Sequence, residues 1–178
     1  MGAFVGKISP VFKDFQASTS QHENLESKAL TSRLSSMRLP LALCGGKAFN
    51  LSFLHSVASQ IPGARVLDGL AVLTTAFDWH VGGALARTQL LKDCASLAVA
   101  WPKLLAMSEA DQRSALSELQ EKIRDGVVED ALNRELKTFL DEQKDVHAYA
   151  VRSSATDEDS GANAFAGQYL TMLNQSCT

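Results

Sequence analysis

The stretch His147-Ala148-Tyr149-Ala150-Val151-Arg152-Ser153-Ser154-Ala155-Thr156-Asp157-Glu158-Asp159, continued by Gly161, Phe165-Ala166-Gly167-Gln168 and Tyr169–Leu173, decides how this chain is read. His147–Val151 alternates and is bordered by polar residues, so it predicts a strand. A second strand is predicted over Tyr169–Leu173. The first strand delivers Arg152 to a loop rich in hydroxyls and glycine. A guanidinium offers paired donors to phosphate oxygens, and such a loop adds hydroxyls and backbone N–H groups. Gly167 lets a ligand approach the backbone with no Cβ in the way. The same pattern also fits a serine-rich hairpin loop in which Arg152 pairs with Asp157 or Glu158. Pattern alone leaves both readings open.

Upstream, Leu39-Pro40-Leu41-Ala42-Leu43 is a short apolar run that predicts a buried strand, ended by Gly45-Gly46. Lys47 follows, and then Phe49, Phe53, Val57 and Ile61 fall at four-residue spacing on one helical face, before Pro62-Gly63. A strand, a glycine pair, a lysine and a helix start make a sensible anion site. No GxxxxGK[ST] loop is present, and a plain turn with a surface lysine is the simpler reading of this segment by itself.

The middle of the chain reads as scaffold. Residues 65–74 are β-rich with a turn or bulge at Asp68-Gly69, and Thr75 is placed to cap a helix that Gly82-Gly83 interrupts. Leu85–Ala106 is mostly helical, with a break at Trp101-Pro102. Ser108 and Asp111 form a capping box for a helix that runs to Arg124 and stops at Gly126, its apolar face being Ala115, Leu119 and Ile123. A second helix over Val127–Gln143 presents Val128, Leu132, Leu136, Phe139 and Leu140. Glu118 and Lys122 form an i,i+4 pair on the exposed side of this helical hairpin.

Composition bounds the remaining choices. The chain has 178 residues, 46% hydrophobic and 21% charged, near the globular averages. With 17 basic and 20 acidic residues the net charge is −3, which removes the electrostatic footprint of a nucleic-acid binder. No apolar run reaches the roughly 18 residues of a membrane span. The 3 cysteines (Cys44, Cys94 and Cys177) are far apart and form no CxxC, which fits a reduced intracellular compartment. The 4 histidines are scattered, so no metal site is expected; His80 reads as a histidine at a helix surface. Residues 1–38 read as a partly ordered extension with a short helix over Leu25–Met37. It has no continuous apolar core of a secretory signal; an organellar transit peptide stays open as the weaker reading, since acidic residues interrupt the pattern. Cytoplasmic placement is expected.

Three segments, in order, carry a resemblance. Ala150–Asp159 with Phe165–Tyr169 and Thr171–Asn174 resembles the signature of the N-terminal nucleotide-binding domain of the phosphoenolpyruvate synthase and pyruvate, phosphate dikinase family, which includes rifampin phosphotransferase. Gly45-Gly46-Lys47-Ala48-Phe49-Asn50-Leu51 is similar to that family's GGK-x-x-N-L segment. Ile61-Pro62-Gly63 and Gly69–Phe77 are similar to its proline-glycine and Thr-x-Ala-Phe segment. The resemblance implies an α/β (α+β) domain over 39–178: the first subdomain of an ATP-grasp fold, with a small mixed sheet flanked by helices. It further implies ATP as ligand, with Lys47 and Arg152 contacting phosphates and Gly167 and Thr171 in the loop and strand that cover the nucleotide. Ser153, Ser154, Glu158, Asp159 and Gln168 match the motif as secondary positions. No catalytic residue is assigned in this chain. In the family, magnesium ligands come from a second subdomain and the phosphoryl-carrying histidine from a swivelling domain, neither of which matches any part of this sequence. Pyruvate or another acceptor would be handled by those parts. The alternative is a truncated or degenerate, non-catalytic homologue that acts as a binding module. Asp157, where the family has a small residue, is a departure that bears on that choice.

Overall fold

The computed structural model describes residues 29–36, 40–58, 60–156 and 170–176. The chain is mixed α/β and divides into two compact units. The first combines residues 1–74 with 135–178, and the second is the contiguous span 75–134.

In the first unit, β1 (Thr31–Arg33) pairs antiparallel with β2 (Leu70–Val72), with Ser32 opposite Ala71. Helix α1 (Leu41–Ala58) lies between them in sequence. Its residues Cys44, Ala48, Phe49, Phe53 and Val57 join Leu34, Ala71 and Leu73 in one buried cluster. Three of the four residues of the expected face are therefore in the core; the fourth, Ile61, lies beyond the helix end, its N–H bonded to the Ala58 carbonyl at 3.1 Å. Strands β3 (Tyr149–Arg152) and β4 (Thr171–Gln175) form a separate antiparallel pair. The sheet thus takes the form of two two-stranded ribbons among the described residues.

Two expectations here are corrected. Leu41–Leu43 is the first turn of α1, not a strand. A short apolar run has no periodicity to separate the two, and Pro40 starts the turn by accepting the Leu43 N–H at 3.0 Å. The described part of the expected Leu25–Met37 helix is strand and turn, because Thr31–Arg33 finds β2 as a partner. The turn before β2 is held by Asp68, whose carboxylate accepts from the Gly69 N–H (2.9 Å), the Ser35 N–H (3.0 Å) and the Ser35 hydroxyl (2.9 Å). Burial by itself would raise the Asp68 pKa, but these bonds and the nearby His55 bring the net shift down.

The second unit is helical. Helix α2 (Thr74–Leu85) starts at its boundary, followed by α3 (Leu97–Leu105) and α4 (Glu109–Arg124). Val81, Ala84, Leu85, Leu91, Ala100, Leu104, Ala115 and Leu119 make its core. Full burial of a leucine such as Leu85 or Leu91 contributes about 1.5–3 kcal/mol of transfer free energy. Gly82-Gly83 does not interrupt α2; both glycines are helical residues, at a cost of roughly 0.5–1 kcal/mol each relative to alanine. Nor does Trp101-Pro102 break α3: Pro102 lies inside the helix and its carbonyl accepts the Ala106 N–H at 3.2 Å.

The Ser108 cap of α4 forms as expected. Its hydroxyl oxygen accepts the Asp111 N–H at 3.2 Å, and its O–H donates to the Asp111 carboxylate at 2.7 Å. Glu118, expected to pair with Lys122, instead accepts the Gln89 N–H. Gly126 follows the helix end without a positive φ. Its value lies in size: a Cβ there would stand 2.7 Å from His80 Cε1 and 2.9 Å from the Lys122 carbonyl. His80 donates from Nε2 to the Ile123 carbonyl at 2.8 Å, a structural role at a half-buried position. The second predicted helix is α5 (Asp130–Glu142), which begins later than expected. Phe139 is its buried residue; within the first unit it lies 6.4 Å from the Tyr149 ring and under the Arg33 guanidinium at 5.2 Å. Arg33 also pairs with Glu142.

Candidate functional site

The site is built around an interruption in α1. Gly45 has φ 75° and ψ 166°, a conformation that ends the first helical turn and lets a new helix begin at Gly46. L-residues other than glycine adopt this region only under strain. The tertiary contact is as strict as the torsion. A Cβ on Gly45 would lie 1.8 Å from the Ser154 carbonyl oxygen and 2.6 Å from Ser154 Oγ. The glycine pair is therefore the place where the 154–155 segment meets the helix backbone.

That meeting is a set of hydrogen bonds. The Gly46 N–H donates to the Ala155 carbonyl at 3.1 Å. The Ala48 N–H donates to Ser154 Oγ at 3.0 Å, and the Ser154 O–H donates to the Cys44 carbonyl at 2.8 Å. The first N–H groups of a helix need outside partners, and here a segment 106 residues away supplies one through a side chain. Two donors that the sequence reading offered to an anion are thus already bonded within the protein. Phosphate recognition here would fall to side chains instead of the helix terminus.

Lys47 sits between Gly46 and Ala48 at a half-buried position, so its backbone is held from both sides by the 154–155 segment. Arg152 ends β3 and is exposed, two residues before Ser154. Thr171 is its register partner across the ribbon, and the Ser153 N–H reaches the Leu170 carbonyl at 3.4 Å. Of the expected residues, Lys47, Ser153, Ser154, Arg152 and Thr171 therefore belong to one connected piece of the first unit. Gly167, Glu158, Asp159 and Gln168 lie outside the described residues, as does Asp157. Ser153 Oγ is buried and has no hydrogen-bond partner among the described residues.

The neighbouring thiol of Cys44 is buried. Burial raises the Cys44 pKa to about 12, and its Sγ donates to the Pro40 carbonyl at 3.5 Å. Among the described residues, no three His, Cys, Asp or Glu side chains converge as a metal site, and no helix is long and apolar enough to cross a membrane.

The sequence reading placed Ser154 among secondary positions and missed its capping role. A signal existed: the helix restarting at Gly46 has no Ser, Thr, Asp or Asn before it. A helix start without a local cap calls for a remote one.

Comparisons with known proteins give the family. The chain is similar to rifampicin phosphotransferases: 36% identical over 138 residues to that of Bacillus cereus, 31% over 138 residues to that of Bacillus subtilis, and 33% over 137 residues to that of Streptomyces sviceus. Each match covers 75% of this chain and 14% of the relative, so the chain spans about one seventh of the length of these proteins. No solved structure matches. The sequence model described as pyruvate phosphate dikinase, AMP/ATP-binding domain, matches residues 41–178, and the chain belongs to that family.

Proposed function

We propose that this chain forms one wall of an ATP site in a phosphoenolpyruvate synthase-like (pyruvate, water dikinase) phosphotransferase of ATP-grasp type, with residues 39–178 as the first subdomain and 1–38 as an extension. The observation that carries the reading is the docking of Gly45-Gly46-Lys47 on Ser154-Ala155, which puts Lys47 and Arg152 on one frame. The donor set suits a polyphosphate: an ammonium, a guanidinium, the Thr171 hydroxyl and the buried Ser153 hydroxyl. Lys47 supplies a mobile point charge, whereas the planar Arg152 fork binds two oxygens at once. By the family resemblance, Gly167 and Thr171 would lie in the loop and strand that cover the nucleotide, Gln168 would be a secondary position, and Glu158 and Asp159 would shape the loop beside Arg152.

ATP, bound with Mg2+ held by residues outside this chain, supplies the phosphoryl group, which passes through a histidine of another domain to pyruvate or a different acceptor. The residues here bind and orient; positioned positive charge stabilises charge on a transferring phosphoryl group. Rifampicin phosphotransferases are the named relatives, so an antibiotic acceptor belongs to the same proposal.

The test is calorimetric titration of the chain with ATP and Mg2+. Lys47→Ala or Arg152→Ala each removes a charged contact worth about 1.5–3 kcal/mol, or roughly 10- to 150-fold in Kd. Wild-type affinity in both variants refutes the assignment. In a full-length protein containing this domain, either variant should abolish ATP-dependent histidine phosphorylation.

A further inference from the structure

We infer that Ser154 is a positioning residue that sets Lys47 in register with Arg152; for its consequence on nucleotide binding, this rests on the ATP reading above. A hydroxyl has one proton to give and lone pairs to accept with. Ser154 gives its proton to the Cys44 carbonyl, before the Gly45 kink, and accepts the Ala48 N–H after it. One side chain therefore closes both sides of the break in α1.

The residue that this clamp encloses is Lys47. Its two chain neighbours donate to Ser154 and Ala155, and those belong to the segment that Arg152 begins. Without the Ser154 hydroxyl, the Gly46–Ala155 bond would remain as the backbone link on the amino side. Ala48 would lose its donor's partner, the first turn could fray, and Lys47 would sample positions out of register with Arg152. The closeness of Ser154 to Gly45 also explains why serine is suited here: the two backbones approach so tightly that the bridging group must be small.

The experiment uses the chain with Ser154→Ala, Ser154→Thr, Lys47→Ala and the Ser154→Ala/Lys47→Ala double variant. Amide hydrogen exchange at Ala48 and Gly46 is measured first, and ATP·Mg2+ titration second. Loss of an N-cap hydroxyl predicts exchange at Ala48 faster by about two- to thirty-fold in Ser154→Ala. Ser154→Thr, which keeps the oxygen, restores it. ATP affinity should fall by a similar factor in Ser154→Ala, recover in Ser154→Thr, and show no further loss when Ser154→Ala is added to Lys47→Ala. Residues that act through one another are non-additive in this way.

Unchanged Ala48 exchange in Ser154→Ala overturns the clamp. Unchanged ATP affinity there, or an equal loss in the Lys47→Ala background, overturns positioning through Lys47. A wild-type chain that fails to bind ATP refutes the functional reading instead, while the exchange data still decide the clamp. Should Ser154→Ala unfold, Ser154→Cys takes its place, since it keeps the size and weakens the hydrogen bonds.

Discussion

Gly45→Ala is the substitution whose cost follows most directly from the geometry. The backbone at Gly45 has φ 75° and ψ 166°, a region that is almost glycine-only and costs a side chain of order 1–3 kcal/mol. The added Cβ would also stand 1.8 Å from the Ser154 carbonyl oxygen and 2.3 Å from its carbon. Both are backbone atoms with no rotamer to change, so the two segments must separate. Separation breaks the Gly46–Ala155, Ala48–Ser154 and Ser154–Cys44 hydrogen bonds. At a net of about 0.5–1.5 kcal/mol each, these bonds and the backbone strain together come to about 2.5–7.5 kcal/mol, less whatever water restores. That is a large part of the roughly 5–15 kcal/mol available to a domain. Urea unfolding followed by amide exchange along α1 measures it within the first unit. The tryptophans, Trp79 and Trp101, are both in the second unit, so their fluorescence provides a separate reading. A Gly45→Ala chain with wild-type urea midpoint and wild-type exchange at Gly46 would refute the contact.

Three further outcomes are expected. Leu91→Ala empties a fully buried position in the second core and should cost about 2–5 kcal/mol in a urea titration followed by tryptophan fluorescence. Asp68 has a folded pKa below its unfolded value, so its contribution is present above the unfolded value of about 3.9 and is lost as pH falls through the folded pKa. Asp68→Asn should flatten that acidic part of the stability–pH curve, as followed by thermal melts at stepped pH. Cys44, with its pKa at about 12, should resist iodoacetamide at pH 8 in the folded chain and react once urea exposes it.

Periodicity made much of α1 and α4 legible. Phe49, Phe53 and Val57 recur at helical spacing and are buried, and Ser108 with Asp111 marks a helix start by chemistry that operates within one turn. The strand-loop of Tyr149–Arg152 was legible for the same local reason. Tertiary pairing was not. Thr31–Arg33 is a strand because Leu70–Val72 lies beside it, a fact that no window of sequence around residue 31 contains. Leu41–Leu43 is helical because Pro40 and the Gly45 kink define a turn too short for any period to emerge. Pro102 and Gly82-Gly83 were read as breaks because local propensity disfavours them, whereas burial of Ala84, Leu85, Ala100 and Leu104 outweighs that preference.

The candidate site divides in the same way. Lys47 and Arg152 announce themselves by charge next to glycine and hydroxyl residues, and the resemblance to a known domain linked them. The hydrogen bonds that join their two segments are non-local, and the donors credited to an anion turned out to be bonded to Ser154 and Ala155. What sequence could not disclose was which polar groups had already found one another.

The discontinuity of the first unit has a consequence for the growing chain. The second unit is finished once residue 134 has emerged, whereas the first must wait for strand β3 and the Ser154 segment. At about 5–20 residues per second, roughly one to four seconds separate residue 134 from residue 155. During that interval α1 exists with an open amino end after Gly45 and no partner for the Ala48 N–H. A nascent chain would therefore carry a folded helical insert before the first unit closes, and a pause in synthesis between these positions would prolong exposure of the unfinished core.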